Sequence, residues 1–192
     1  MRVVPKQQPG KSKQDYQTPP EFLEAVKARL QIKDFGWDLA ASDENCVSPY
    51  GYYDEATNSL TAADWQSKTP ETLWQWLNPP YADIKPWVKK CAEESLKGAH
   101  IACLVPASTG ANWWKEHVTN DAYVLFLNGR ITFVGATAPY PKDCALLLYT
   151  PFIRKGSDIW TWKPSTQISS TISKLSSLPA STSTSTACPT SL

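Results

Sequence analysis

The chain has 192 residues, with 19 Lys+Arg against 18 Asp+Glu and nine Trp, a length suited to one globular domain with a sizeable core. Its net charge of +1 excludes a histone-like binder working through charge alone, and 16 Pro beside nine Trp exclude a coiled coil. No window approaches about 18 uninterrupted apolar residues, and the opening MRVVPKQQPGKSKQ has no apolar stretch, so neither a membrane span nor a secretory signal is expected.

Taken in chain order, residues 1–13 hold Arg2, Lys6, Lys11 and Lys13 with no acid and read as a flexible basic arm. A working domain is expected over 14–164, with a net charge of −4 once the arm and tail are set aside. Within it, Thr18-Pro19-Pro20-Glu21 is a helix start: Thr18 can cap, proline fits the first turn, and Glu21 completes a capping box. Leu23, Val26 and Leu30 then share a face, giving a helix over 19–31. Phe35 to Leu39 reads as a short strand ending in Asp38 and the small residues Ala40, Ala41 and Ser42. Leu73 to Leu77 is a second buried strand, ending at Asn78.

Pro86 to Lys97 reads as a helix stopped by Gly98, with Val88, Ala92 and Leu96 near one face. His100 to Val105 is an apolar strand and Ala111 to Val118 a short helix. Tyr123 to Leu127 and Arg130 to Val134 flank Asn128-Gly129, the pattern of a hairpin with a two-residue turn. Ala145 to Tyr149 adds one more strand. The expected fold is α/β, a mostly parallel sheet ending in an antiparallel pair. From Ser165 onward, sixteen of 28 residues are Ser or Thr. That stretch is expected to be a disordered tail, and its abrupt onset resembles an appended or frameshifted reading.

Five Cys (46, 91, 103, 144 and 188) form no Cys-x-x-Cys, and His100 and His117 lie apart from any ligand cluster. No metal site or disulfide framework is expected, and a reduced interior is. The chemistry centres instead on Asn78-Pro79-Pro80-Tyr81, placed where a buried strand ends. Ligands bind at the carboxyl ends of strands in open α/β sheets. An exocyclic amine on a nucleobase is a poor nucleophile because its lone pair is delocalised into the ring. The Asn78 side-chain oxygen and the Pro79 carbonyl can both accept hydrogen bonds from that amine and draw it toward tetrahedral geometry. The prolines Pro79 and Pro80 stiffen the turn, and Tyr81 can stack on a base flipped from its helix. The competing reading is a rigid turn followed by a core tyrosine.

The sequence resembles the phage and prophage Dam-like DNA N6-adenine methyltransferases from about Asp15 to Leu148. The resemblance rests on DYQTPPEFLEAV (15–26), GWDLAAS (36–42), Asn45, LTAADW (60–65), NPPY (78–81), LVPAST (104–109) and FLNGRITF (126–133), in that order. It implies a Rossmann-like S-adenosylmethionine-dependent fold. Tyr16, Thr18 and Pro19 would lie by the methionine moiety, with Asp38, Ala40 and Ser42 at the end of the first strand. Asp64 and Trp65 would lie at the adenosyl base, and Asn78 beside the cofactor as well as in the catalytic loop. Many methyltransferases carry a Gly-rich turn after the first strand, whereas no Gly occurs here from Trp37 to Tyr50, so Asn45 is expected to help by tolerating a left-handed backbone.

The implied partner is double-stranded DNA, bound by local patches: Arg130, Lys85, Lys89 and Lys115, with Lys90 and the basic arm beside them. Specificity would come from short loops, such as 44–62, 107–120 and 134–144, because 192 residues leave no room for a recognition domain. A cytoplasmic monomer in a bacterial host, with no obligate protein partner, is the expectation, acting in modification or evasion of restriction. Four other readings remain open from the residues: a cytosine N4 acceptor, an RNA adenine, a protein glutamine, and an inactive DNA-binding module.

Overall fold

The computed structural model describes residues 16–62, 64–65, 73–152 and 155–163. The basic arm over 1–13 and the tail over 165–192 lie outside them. The chain divides into two units, Met1–Trp162 and Lys163–Leu192, and the first carries everything that follows.

Three helices and five strands are formed among the described residues. They are α1 (Pro20–Leu30), β1 (Gln75–Leu77), α2 (Lys85–Leu96), β2 (Ile101–Pro106), α3 (Asn112–His117), β3 (Tyr123–Asn128), β4 (Cys144–Tyr149) and β5 (Gly156–Thr161), with a 3-10 turn at Ser59–Thr61. The strand order is β1-β2-β4-β3-β5. β1 is parallel to β2 and β3 to β5, whereas β4 runs antiparallel to both of its neighbours. The sheet is therefore mixed rather than mostly parallel, and its antiparallel strand is interior rather than terminal.

Burial on two faces explains the sequence pattern. β2 and β4 are buried at every position, so their runs read as continuous apolar sequence rather than alternation. Ile101, Cys103 and Val105 with Ala145, Leu147 and Tyr149 pack on the side of α2 and α3. Ala102 and Leu104 with Cys144, Leu146 and Leu148 pack on the opposite side, against Phe22, Leu23 and Val26 of α1. Truncating a side chain such as Leu104 to Ala would cost about 2–5 kcal/mol at a site this closed.

Several expectations are corrected. α1 begins at Pro20 with Pro19 as its N-cap and no side-chain cap bond, so the Thr18 capping box is not formed. Two prolines fix the entry of the helix and Thr18 is buried instead. On α2 the buried residues are Val88, Cys91, Glu94 and Ser95, and Leu96 is 85% exposed. The 35–39 segment is reduced to bridges from Asp38 to Tyr52 and to Trp76, both parallel. Its backbone bonds nonetheless continue the sheet, with Leu39 N–H donating to Trp76 O at 2.9 Å and Trp76 N–H to Trp37 O at 2.9 Å. Gly51 is needed where the neighbouring chain passes, since a Cβ there would stand 2.5 Å from the Trp37 ring.

The hairpin across Asn128-Gly129 is absent. Both edges of β3 are occupied, by β4 and by β5, so residues 130–134 have no strand edge to pair with. Gly129 turns at φ 111°, its carbonyl accepting from Trp162 Nε1 at 2.6 Å, and the chain is sent elsewhere. It runs beside the N-terminal segment instead, where Val134 N–H donates to Gln17 O at 3.0 Å.

Candidate active site

β1, β2 and the 36–39 segment are in parallel register, so their carboxyl ends open to one edge of the sheet. Asn78-Pro79-Pro80-Tyr81 follows β1 at that edge, the 40–47 loop follows Asp38, and Ala107 to Ala111 follow β2. This is the edge at which open α/β sheets bind ligands.

Asn78 is half-buried, and its Nδ2 donates to the carbonyl of Tyr16 at 2.6 Å, a bond between residues 62 positions apart. A carbonyl can only accept, so this bond fixes which way the amide faces. It leaves Asn78 Oδ1 buried with no hydrogen-bond partner. The Tyr81 hydroxyl is likewise buried without a partner, although the residue as a whole is only half-buried. Burial pushes that phenol well above its ordinary value, so it remains neutral. Buried polar atoms without partners are uncommon and costly, at about 1–3 kcal/mol each. Two of them fall within this one four-residue loop.

An aromatic cluster encloses the loop. The Tyr81 ring lies 5.7 Å from Tyr16, 5.7 Å from Tyr140 and 6.2 Å from Phe133. Tyr16 packs on Phe133 at 4.8 Å. Three stretches distant in sequence thus converge: 16–18, 78–81 and 131–140. Beside Tyr81 opens a cleft of about 220 Å³ lined by Tyr81, Pro106, Ser108, Trp113, Tyr140 and Lys142. It is smaller than the pockets of about 300–1,000 Å³ that take drug-sized ligands. Phe133 belongs to the FLNGRITF piece, and Trp113, Tyr140 and Lys142 fall in the 107–120 and 134–144 loops expected to carry specificity, though none of the three was singled out by residue.

Asp38 is 2% exposed. Its Oδ1 accepts from Ala40 N–H at 3.3 Å and its Oδ2 from Val47 N–H at 3.1 Å. Desolvation raises its carboxyl from 3.8 to about 6, against the lowering effect of those two bonds. Asn45 Oδ1 accepts from Ser42 N–H at 2.6 Å, closing the 42–45 turn. Asn45 is not left-handed; among the described residues other than Gly, only Gln31 and Asn58 have positive φ. Its contribution is a side-chain bond, which replaces the backbone freedom expected of it.

Asp64 is partly exposed and Trp65 wholly enclosed. The Trp65 indole N–H donates to Ser59 O at 2.8 Å, and its backbone N–H donates to the buried Glu94 Oε2 at 3.0 Å. Lys90 lies over the indole ring at 5.3 Å and donates to the carbonyls of Leu60 and Ala62. Trp65 therefore presents no free ring face, and Lys90 holds the 60–62 loop rather than facing outward. Glu94 was not singled out in the sequence, where the face of this helix was drawn through Val88, Ala92 and Leu96 instead.

The remaining cations are exposed but mostly engaged. Lys85 pairs with Glu116 at 2.8 Å, Lys89 with Glu93 at 3.6 Å, and Arg130 with Asp143 at 3.2 Å, while Lys115 is exposed on α3. Exposed pairs of this kind are worth about 0–1 kcal/mol each and exchange readily for a phosphate. No group of three or more His, Cys, Asp or Glu that could hold a metal occurs among the described residues. No helix among them is long and apolar enough to cross a membrane.

The family model for DNA N-6-adenine-methyltransferase (Dam) matches residues 6–177. The chain belongs to that family. The Dam match takes in the basic arm from Lys6 and continues thirteen residues beyond Pro164. A relative in Escherichia phage T1, named DNA N-6-adenine-methyltransferase, is 32% identical over 117 residues. Those residues are 61% of this chain and 46% of the relative, so the chain spans less than half of that protein's length. No solved structure matches this Dam-family chain significantly.

Proposed function

We propose that this protein transfers a methyl group from S-adenosylmethionine to the N6 amine of adenine in double-stranded DNA. The observation that carries this reading is the buried, unpartnered Oδ1 of Asn78, aimed by the Tyr16 carbonyl. Membership of the Dam family and the printed name of the phage T1 relative agree with it. The mixed α/β sheet, with Asp38 and Asn78 at neighbouring carboxyl ends, suits a Rossmann-like methyltransferase arrangement.

S-adenosylmethionine supplies an electrophilic methyl group on sulfonium. Asn78 Oδ1 and the Pro79 carbonyl accept the two N–H bonds of the adenine amine, localising its lone pair on nitrogen. With that methyl donor bound, the N–C bond would form as its S–C bond breaks, and the extra proton on nitrogen would leave to solvent. Pro79 and Pro80 keep the two acceptors in place, so catalysis here is positioning rather than acid–base chemistry. Tyr81 offers its neutral ring to the extruded base, and the cleft toward Trp113 and Lys142 gives that base a path in from the duplex.

On the cofactor side, Tyr16, Thr18 and Pro19 would border the methionine moiety. Asp38 would act by holding the backbone of Ala40 and Val47, with Ser42 held by Asn45, so that Ala40 and Ser42 face the cofactor, and Asp64 would face its adenosine. Trp65 would support that surface from beneath. Lys85, Lys89, Lys115 and Arg130 would contact phosphates, trading intramolecular carboxylate partners for DNA. The working compartment would be the host cytoplasm, where duplex DNA and the cofactor meet.

Tritiated methyl transfer to duplex DNA, followed by nucleoside digestion, tests the proposal. Label in N6-methyladenine is expected, and Asn78→Ala should lose about 10²–10³-fold in kcat, by analogy with removal of one hydrogen-bonding group at a reacting centre. Label confined to N4-methylcytosine or to protein, or no transfer to DNA, would overturn it.

A further inference from the structure

From the contact between Asn78 and the N-terminal segment, we infer that the main-chain carbonyl of Tyr16 is a positioning element that makes asparagine, and not aspartate, obligatory at position 78. The inference rests on the methyltransferase reading for its consequence in catalysis, but its physical content is independent of it. Amide and carboxylate are nearly isosteric, and either offers an oxygen that can accept from a base amine. They differ at the other end. The amide donates there, and Asn78 Nδ2 meets the Tyr16 carbonyl at 2.6 Å. A carboxylate in the same place would set oxygen against oxygen at that distance, with a full negative charge in a half-buried position.

The carbonyl is not free to withdraw. The next one along, Gln17 O, accepts from Val134 N–H at 3.0 Å. The Tyr16 ring is wedged among Phe133, Tyr140 and Tyr81 at 4.8, 5.6 and 5.7 Å. Thr18 and Pro19, which lead into α1, are buried. The anchor for Asn78 is thus built from a stretch before β1 and a stretch between β3 and β4, and it is held from three directions.

A protonated carboxyl restores what the amide supplies. Its O–H donates to Tyr16 O while its carbonyl oxygen stays available to the base. Replacing Asn78 by Asp should therefore create a loop that works in its neutral form and fails in its charged form. The titratable groups closest to the neighbouring Tyr81 are the phenols of Tyr16 and Tyr140 and the thiols of Cys103 and Cys144, and the charged side chains lining the adjoining cleft are Asp83, Lys142 and Lys85, the last paired with Glu116. Burial pushes Tyr140 and Cys144 up to about 12, and none of those phenols and thiols can supply a cation to offset a carboxylate. Asp38, on the adjoining segment, is raised to about 6 and titrates in the same window, so every comparison is made against the wild type at the same pH.

The test is the ratio of kcat for full-length Asn78→Asp to wild type, measured from pH 8 to pH 5.5, with Asn78→Ala as control. The ratio should be low at pH 8 and rise by up to about tenfold for each unit of acidification, as the neutral fraction of the substituted carboxyl grows. The Asn78→Ala ratio should stay flat. Thermal unfolding of the same proteins, without DNA or cofactor, reads the anchor directly. The substituted carboxyl has a raised value in the folded state, so the stability it contributes is present at low pH and lost as pH rises. The deficit in Tm of Asn78→Asp against wild type should accordingly narrow on acidification. A Tm deficit independent of pH would overturn the inference whatever the activity, as would wild-type kcat for Asn78→Asp at pH 8. Absence of all methyl transfer, with a Tm deficit that narrows, would remove the proposed function and leave the anchor standing.

Discussion

Two loops leave the same edge of the sheet and are held in opposite ways. Residues 78–81 carry two prolines and are fixed from outside, by a carbonyl 62 positions away and by rings from two other stretches. Residues 40–47 have neither proline nor glycine and are fixed from within. Asp38 receives the backbone N–H groups of Ala40 and Val47, Asn45 receives that of Ser42, and Cys46 N–H donates to Ser42 O at 3.1 Å. A loop braced by distant packing depends on the whole fold but on no ionised group. A loop braced by its own short side chains depends on a carboxylate, and a proton can reach it.

Removing that carboxylate should have the larger effect. Asp38→Ala leaves two backbone donors near the protein interior without acceptors, each costing about 1–3 kcal/mol. The dissociation constant for S-adenosylmethionine should rise about a hundredfold or more, the equivalent of about 3 kcal/mol. Calorimetry measures it, and near-unchanged affinity would mean that the 40–47 loop does not face the cofactor. Because the 78–81 loop is braced elsewhere, kcat at saturating cofactor should fall far less than in Asn78→Ala. Equal losses in kcat would erase the distinction between the two loops.

Acid should separate them more gently. The Asp38 carboxyl is raised from 3.8 to about 6 in the folded chain, so its ionised form is the one that folding disfavours. Stability should therefore fall as pH rises from about 4 to about 6, by about 3 kcal/mol from this group. Cofactor binding should run the other way. Below about pH 6 one carboxyl oxygen carries a proton and can no longer accept from its backbone partner, so KM for the cofactor should rise on acidification. Asp38→Asn should flatten that dependence. A wild-type KM that stays level from pH 7.5 to 5.5 would show that the charge on Asp38 does not govern the loop.

Much of the scaffold was readable because burial on both faces leaves a strong pattern. The runs at 101–106 and 144–149 are almost wholly apolar, and both are central strands. The helices at 20–30 and 85–96 were placed to within a residue at each end. β5 went unread because five of its six residues are exposed, so no alternation records its pairing with β3. The same strand explains the failed hairpin. Asn128-Gly129 does form a turn, but β5 occupies the edge that residues 130–134 would have needed. At the site, NPPY announced itself at a strand end, while its anchor did not. Tyr16 contributes a main-chain carbonyl, an atom every residue has, and no side-chain pattern encodes it. The signal available was indirect: Tyr16 and Phe133 are aromatic residues in two of the quoted pieces, and packing them together brings the carbonyl to Asn78.

The smallest expected effect asks why the 40–47 loop manages without glycine. If Asn45 served by adopting a left-handed backbone, Asn45→Gly would be harmless. Its φ is not positive, and its oxygen accepts from Ser42 N–H at 2.6 Å instead. Losing one hydrogen bond of this kind costs about 0.5–1.5 kcal/mol. Both Asn45→Ala and Asn45→Gly should therefore weaken cofactor binding by a few-fold to about tenfold, with Gly the worse of the two because it gives the folded loop more backbone freedom to lose on binding. Asn45→Asp keeps the acceptor and should bind nearly as well as wild type. The order Asp above Ala above Gly, read by calorimetry, is opposite to what a backbone requirement would produce. A glycine variant that binds better than the alanine one would return the loop to the usual logic of a glycine-rich turn.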